Sequence, residues 1–591
     1  MAASSTMIRA MNFEQNDHKW GFADTSFVVN PDRSVRFTGD RYDLCGYDIP
    51  GLIPFVEKAF DIELDLTKVK QETEPMPLPV SKVAEPQLMA LAKFLSENQI
   101  SDSDRDRLVH SHGQTTADEV YQVLYNSLEK VCDLVVYPET SEQVAKLIKV
   151  AAEHQLCLVP YGGGTSVSCA LKLPVDETRP IVVANTSRMN KVVSVDKENL
   201  TAHVQAGITG AELERQLEEH GVMCGHEPDS MEFSTLGGWI ATNASGMKKN
   251  RYGNIEDVVL SVEMITPNGE ISQVGSSPRS SLGVQPKNLA FGSEGNLGFI
   301  TSAVINVHPT PRVTKFDSLV FKDWETGVEF VRALSKSKVL PASIRLVDNI
   351  QFRSGQALKP APDPVQAVMS KVQKTFLTKI KRFDPYKMVA ATIVMEGSQD
   401  EVIFQNRQIK KLAAEYGAVV GGETNGRRGY MLTYAIAYIR DFLNSYDIIG
   451  ETYETTVPWD KINQVCEAVS AKALELHADY GLVGRPYVSP RVTQTYNSGV
   501  AIYFTHGFCS RGVDNPGEIF SEIEAELRQT IIDNGGSISH HHGVGKLRAE
   551  FMDQVYSDGT IELLKDLKRS IDPDNVFGIA NNVMVSEETK N

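Results

Sequence analysis

The chain has 591 residues, 41 % hydrophobic and 23 % charged, with a formal net charge of −17, the composition of a soluble globular protein long enough for two to four domains. The acid excess argues against a general nucleic-acid role, so an anionic ligand has to be met by local charge. The seven cysteines are odd in number and form no CxxC pair, which supports neither a disulfide framework nor a zinc ribbon and fits a reducing compartment; the absence of an 18-residue apolar run and of an N-terminal hydrophobic core predicts neither a membrane span nor a secretory route.

In chain order, residues 1–130 read as an N-terminal extension, partly helical, with an aromatic cluster Trp20-Gly21-Phe22 and a Pro-rich link Glu74-Pro75-Met76-Pro77-Leu78-Pro79. Residues 131–308 alternate strand and glycine signals as a compact α+β nucleotide domain should. Residues 134–137 predict a strand, and Thr140 opens a capping box closed by Gln143. Val144, Leu147, Ile148 and Ala151 then recur at helical spacing, and Leu156-Cys157-Leu158-Val159 returns as a strand. A second box, Thr209 to Glu212, opens a helix expected to stop near Gly221. Pro309 and Pro311 punctuate the chain. Residues 309–555 then read as a cap of longer helical and strand-like runs, and 556–591 as a segment returning to the first domain.

The loop Pro160-Tyr161-Gly162-Gly163-Gly164-Thr165-Ser166 leaves the strand–helix–strand unit with three successive glycines flanked by hydroxyls. Such a run exposes backbone N–H groups able to close around a diphosphate. No helix pattern follows it, so a Rossmann fingerprint is disfavoured; the alternative is a merely flexible turn. Two later segments weigh against that alternative. One is Asp229-Ser230-Met231-Glu232-Phe233-Ser234-Thr235, continued through Gly237-Gly238 to Thr242-Asn243-Ala244-Ser245; the other is Glu294-Gly295-Asn296-Leu297-Gly298-Phe299-Ile300. Their small residues let backbone lie against a flat or charged ligand, while hydroxyls and amides supply directional bonds. The three segments in this order resemble the vanillyl-alcohol-oxidase-like flavoprotein superfamily. That resemblance implies an α+β fold with a two-part FAD-binding domain, a substrate cap, and FAD held by these residues.

In the cap, Ser537-Ile538-Ser539-His540-His541-His542-Gly543 stands out. On a regular strand three adjacent histidines cannot face one point. No HExxH or HxxEH accompanies them, so the expectation is no metal and an acid–base role beside the flavin; a zinc or iron site and ordinary satisfied histidines are the alternatives. Together with 342–349, Ala437-Tyr438-Ile439-Arg440-Asp441, 491–496 and Ala501-Ile502-Tyr503-Phe504, the run resembles the alkyldihydroxyacetonephosphate synthase family over about residues 20–580. The resemblance implies exchange of the acyl chain of acyl-dihydroxyacetone phosphate for a long-chain fatty alcohol, without net redox change. It further implies Tyr503 and His540–His542 as catalytic groups, Arg440 as a planar fork for the departing carboxylate, and Arg345 near the active site, where it holds phosphate, orients the histidines, or forms a structural ion pair. Arg491 and Lys546 are weaker phosphate candidates.

Long alkyl chains need a route from a membrane. Val365, Val368, Met369, Val372, Phe376 and Ile380 share a helical face, with Lys371, Lys374, Lys379, Lys381 and Arg382 beside them and no acid. This reads as a basic amphipathic helix able to lie on anionic lipid, or as an ordinary cap helix with solvated lysines. A homodimer and a peroxisomal compartment are implied by the resemblance alone: the end Glu587-Glu588-Thr589-Lys590-Asn591 is no SKL-like signal, no import nonapeptide is visible, and the leading 1–6 reads as a possible added leader. The runner-up function is a flavin dehydrogenase or oxidase of a 2-hydroxy acid, and a third is flavin binding without turnover.

Overall fold

The structure is a computed structural model that describes residues 14–73, 77–275, 277–362 and 364–585. The leading 1–6, part of the Pro-rich link (74–76), the C-terminal 587–591, and the Val365 and Met369 side chains lie outside the described residues.

The expected strand–helix–strand unit forms. Strand Leu134–Val136 leads into helix Ser141–Glu153, whose N-cap Thr140 accepts from the Gln143 N–H and whose Val144, Leu147, Ile148 and Ala151 are buried. The second strand is Cys157–Tyr161, so the first two residues of the glycine loop still belong to it. Strand Ile181–Asn185 inserts between the two, parallel to both, in a four-stranded sheet. A five-stranded antiparallel sheet follows, built on Val259–Thr266 and Phe299–Asn306. Helix Gly210–Glu218 packs beside it with Thr209 as N-cap. The chain end closes this unit: Val576 and Phe577 enter the core of the four-stranded sheet, and the Leu158 N–H donates to the Val576 carbonyl.

The cap is a seven-stranded antiparallel sheet, in the order Val419–Val420, Val313–Phe321, Val389–Gly397, Ser343–Val347, Val483–Thr495, Gly499–Cys509, Ile448–Pro458. Strand residues alternate between faces, and this alternation divides the cap by function. Leu319, Phe321, Ala391, Ile344, Leu346, Val492, Ile502, Phe504 and Tyr453 form the hydrophobic core on one face. Their neighbours point the other way. Glu454, Tyr503, Arg491, Val347, Ala390 and Val320 are cross-strand partners in one row, with Arg345, Thr392 and Ser318 in the adjacent row. The N-terminal segment does not stand apart: a small sheet (Phe27–Val29, Val35–Phe37, Asp48–Ile49) and helix Leu52–Phe60 pack on cap helix Ile436–Asn444 through Phe37, Tyr438 and Phe442. Among the described residues no helix is long and apolar enough to cross a membrane.

A buried ionic knot joins the two units. Lys248, from the flavin-side unit, lies 2.7 Å from Glu227 and 2.9 Å from Glu396 on the cap strand. Tyr252 donates to Glu396 (2.7 Å), and Tyr430 and Tyr434 donate to Glu227 (2.8 and 3.1 Å). Removing the ammonium leaves two carboxylates facing each other away from water. Lys248→Met is therefore expected to destabilise the protein by about 3–5 kcal/mol, read by denaturant unfolding; a loss below about 1 kcal/mol, the scale of an exposed pair, would show that the knot is solvated.

Candidate active site

The glycine loop has little freedom to be anything else. A Cβ on Gly163 would stand 1.9 Å from the Phe233 carbonyl oxygen, and one on Gly162 would stand 2.6 Å from the Thr235 hydroxyl. Gly164 has φ +72°, and its carbonyl accepts from the Gln114 N–H at 2.8 Å. The loop and the 229–235 segment are thus pressed together into one wall. That wall bounds a cavity of about 1400 Å³ that runs on to Tyr503, His541 and His542.

At the inner end the three histidines leave a turn, not a strand, so the alternation that would separate their rings does not apply. The turn is held by Glu454, whose side chain is 0 % exposed. Its carboxylate accepts the backbone N–H groups of His540 (2.5 Å), His541 (3.3 Å) and His542 (3.0 Å) and the Ser539 hydroxyl (2.8 Å). Burial alone pushes this carboxyl up, but the histidines and Arg548 beside it, with those donors, hold it well below the usual range. Tyr503, the cross-strand partner of Glu454, meets His541 Nε2 at 2.6 Å and His542 Nε2 at 3.0 Å. Burial pushes its phenol well above the ordinary value. Burial also lowers all three imidazoles, His540 to about 3. The phenol and the three imidazoles are therefore neutral at pH 7, beside an ionised Glu454.

Glu454, His540 and His541 also bring three potential ligand atoms within 4.8 Å of one another. Those atoms are engaged, the carboxylate by amides and the imidazoles by each other, so a metal ion would have to break the network.

Arg345 and Arg491 converge on one carboxylate, Asp229, at 2.6 and 3.4 Å. Arg345 also donates to the Thr433 hydroxyl, and the Arg491 guanidinium lies 4.7 Å from the centre of the Tyr503 ring. The Nε atoms of both arginines are sealed from solvent with no acceptor among the described residues. Two cations therefore share the one Asp229 carboxylate beside Tyr503. Arg440, expected as the planar fork for the departing carboxylate, is engaged by its neighbours. Its Nε donates to Asp441 (2.8 Å), Nη1 to the Thr115 carbonyl, and Nη2 to the Gln114 carbonyl (3.2 Å) while pairing with Asp441 (2.6 Å). Each of the three guanidinium nitrogens thus donates a hydrogen bond, so a bidentate grip requires part of this pairing to open. Lys546 points elsewhere, to Asn581 Oδ1 at 2.8 Å.

Two domain families match the chain, one described as FAD binding domain (residues 132–275) and one as FAD linked oxidases, C-terminal domain (residues 310–579). An alkyldihydroxyacetonephosphate synthase from Caenorhabditis elegans is 41 % identical, the match spanning 95 % of this chain and 94 % of that protein. The chain belongs to the alkyldihydroxyacetonephosphate synthase family. A family relative from Dictyostelium discoideum is 31 % identical over 94 % of this chain and 92 % of its own. A solved structure titled alkyldihydroxyacetonephosphate synthase superposes with a TM-score of 0.81 at 27 % identity, covering 95 % of this chain and 98 % of that one. The fold is that of the vanillyl-alcohol-oxidase-type flavoproteins, and FAD is the cofactor of this family member.

The cavity fits that cofactor. It exceeds the roughly 300–1,000 Å³ of small-ligand sites, leaving space for a dinucleotide and more. Of the expected cofactor residues, Pro160 to Ser166, Asp229, Ser230, Ser234, Thr235, Thr242, Ala244, Glu294, Gly295, Gly298, Phe299 and Ile300 line it. Others support from behind. Met231 and Leu297 are core residues, Phe233 packs on Trp20 and Phe22, and Glu232 accepts from Tyr42. Asn243 is a left-handed C-cap, Ser245 donates to Asn254, and Asn296 bonds to Asn581. Sequence reasoning missed Glu454 and the second task of Glu294, which accepts from Val544, Gly545 and Asn582 and so ties the end of the histidine turn to the cofactor wall. The available signal for Glu454 was an acid among β-branched residues in an otherwise buried strand.

Two outcomes follow from this geometry. Gly163→Asp should abolish the flavin absorbance of the purified protein, because the backbone leaves no room for a side chain; stoichiometric flavin in a folded variant would remove the loop from the site. Glu454→Gln should cost about 1–3 kcal/mol at neutral pH, since one of the two accepting oxygens is replaced by an NH2 donor and the N–H facing it loses its acceptor. A carboxyl whose folded pKa is depressed stabilises above its unfolded value and loses that contribution as pH falls through the folded pKa. The stability gap between wild type and variant, followed by denaturant unfolding, should therefore narrow on acidification; a gap independent of pH would mean that Glu454 is not ionised.

Proposed function

We propose that the protein exchanges the acyl chain of acyl-dihydroxyacetone phosphate for a fatty alcohol, giving the alkyl ether and a fatty acid with no net redox change. The observation that carries this reading is one continuous cavity. It joins the cofactor loops to the Tyr503–histidine cluster and to apolar residues Leu52, Val56, Ile436, Ile439, Leu443 and Ile448, and it also reaches Val372, Phe376 and Leu377. A long chain can lie along such a route while its polar end meets the cluster.

Held along the Pro160 to Ser166 loop, the flavin would supply nucleophilic chemistry for displacement of the acyl chain. The remaining roles fall to side chains of this protein. Neutral His541 accepts the phenolic proton of Tyr503, so the phenol oxygen can take a proton from the substrate carbon beside the flavin. The reverse transfer returns a proton to that carbon, and the same phenol–imidazole pair, acting again as base, accepts the hydroxyl proton of the incoming alcohol. The two cations Arg345 and Arg491, which share Asp229, suit the substrate phosphate. Arg440, poised on Asp441 and two carbonyls, is suited to meet the departing carboxylate as part of this pairing opens.

Membrane contact through 365–382 and a peroxisomal compartment belong to the same reading. Val368, Val372 and Ile380 are 64 %, 63 % and 68 % exposed, which favours a lipid-facing surface over a helix packed on the cap.

Purified protein given acyl-dihydroxyacetone phosphate and a fatty alcohol should form alkyl product at equal rates with and without oxygen or an electron acceptor. Acceptor reduction driven by a 2-hydroxy acid, with no alkyl product, would replace this reading with the oxidase one. Arg440→Lys keeps the charge and loses the planar geometry, and it should slow turnover about tenfold or more with flavin content and melting temperature near wild type. Unchanged turnover would assign Arg440 to the fold alone.

A further inference from the structure

A chain of hydrogen bonds leads away from the cavity. From the Tyr503 oxygen it passes to His541 Nε2 (2.6 Å), from His541 Nδ1 to His540 Nδ1 (2.8 Å), and from His540 Nε2 to the Tyr496 oxygen (2.5 Å). Tyr503 and His541 line the cavity, whereas His540 and Tyr496 do not. Tyr496 is half-buried and is followed by exposed Asn497 and Ser498. Lys249 Nζ lies 3.7 Å from the centre of the Tyr496 ring, and burial lowers this ammonium to about 8.

The proton count along the chain is self-consistent. A neutral imidazole has one N–H and one acceptor nitrogen, so each histidine can receive at one nitrogen and donate from the other. The contact between two Nδ1 atoms requires that one of them be protonated and the other bare. If Tyr503 donates to His541 Nε2, then His541 donates from Nδ1 to His540, and His540 donates from Nε2 to Tyr496. If Tyr496 donates first, every link reverses and Tyr503 accepts from His541, keeping its own proton for His542 Nε2 at 3.0 Å. Both arrangements use neutral groups only, as the lowered imidazoles require.

We infer that Tyr496, His540, His541 and Tyr503 form a proton relay between the reaction centre and solvent, with Tyr496 as its outer terminus. The inference rests on the proposed transferase reading. As the substrate carbon gives its proton to the Tyr503 oxygen, the Tyr503 proton moves to His541 Nε2. The His541 Nδ1 proton moves to His540 Nδ1, the His540 Nε2 proton to the Tyr496 oxygen, and the Tyr496 proton to water. One C–H bond breaks and its electron pair stays with the bound substrate. One proton enters solvent, and each relay atom ends with the number of protons it needs to remain neutral. The reverse passage returns a proton. Tyr496 lies outside the cavity lining and acts through His540, so it is a positioning residue that also carries a proton.

Tyr496→Phe removes one hydroxyl and retains the ring under Lys249 and the main-chain carbonyl that accepts from Trp459 Nε1. In the FAD-loaded enzyme this variant should leave the KM for acyl-dihydroxyacetone phosphate within about twofold. It should lower kcat, and with it exchange of the reacting-carbon hydrogen with deuterated water, by roughly tenfold to a hundredfold, the lower end of what a proton-transfer group contributes. A structural role alone would lower flavin content or raise KM without this selective loss of exchange, and that result overturns the relay. As an independent measurement on the unmodified enzyme, rate against deuterium fraction should curve, because several protons move together; a straight line overturns the relay even if the variant misfolds. Wild type that makes alkyl product, beside a variant with undiminished exchange, defeats the relay and leaves the transferase reading intact. Wild type that makes no alkyl product defeats the transferase reading itself.

Discussion

Glu454 is the group on which the rest of the site depends. A carboxylate with no exposure is costly unless its lone pairs are filled, and here three consecutive backbone amides and a hydroxyl fill them. The same interaction gives a turn of three histidines a fixed shape. Because Glu454 sits on the strand beside Tyr503, one β-pairing sets the phenol and the imidazoles relative to each other. Moving that strand by one residue would put Tyr503 in the hydrophobic core and Phe504 at the site.

Charge pairing then makes the site a joint product of both units. Asp229 from the flavin-side unit holds Arg345 and Arg491 of the cap, Glu294 holds the backbone after the histidine turn, and Lys248 holds Glu227 and Glu396 together. The carbonyls that engage Arg440 belong to residues 114 and 115, and Gln114 also donates to the loop glycine Gly164. A shift of the diphosphate wall would therefore be felt at Arg440. Even the N-terminal segment contributes, since the Trp20 N–H donates to Asp441 at 3.0 Å and so helps to fix the Arg440 partner.

How much of this was legible depends on the range of the interactions. The helix after Leu134–Val136 was readable because its cap and apolar spacing are local. The glycine loops were readable because backbone packed against backbone admits no Cβ, a constraint that marks the sequence directly. Met231, Glu232 and Phe233 lie in the same segment as the lining residues, yet their side chains face core and N-terminal aromatics, and that depends on contacts hundreds of residues apart. The partners that engage the Arg440 fork, Thr115 and Gln114, are invisible in the 437–441 segment. The histidine run was first measured against a strand; the turn that lets its rings converge depends on Glu454, more than eighty residues earlier.

The stretch 368–380 shows how a local charge pattern can oppose the global one. A net charge of −17 would repel an anionic surface at long range, but screening confines such repulsion to about 8–10 Å at physiological salt. Lys371, Lys374 and Lys379 lie on consecutive helical turns and Lys381 caps the last, so the proposed contact with an anionic surface would be governed by them and not by distant acids. Leu377 and Phe383 account for packing on the cap, where they meet Val320 and Met388. Val368, Val372 and Ile380 have no such explanation, since they remain exposed. Val372 and Phe376 are at once exposed and part of the cavity wall, which puts an apolar surface at the entrance to an apolar corridor. A chain leaving lipid there would pass between hydrocarbon contacts without crossing water, and its polar end alone would meet the charged and titratable groups within.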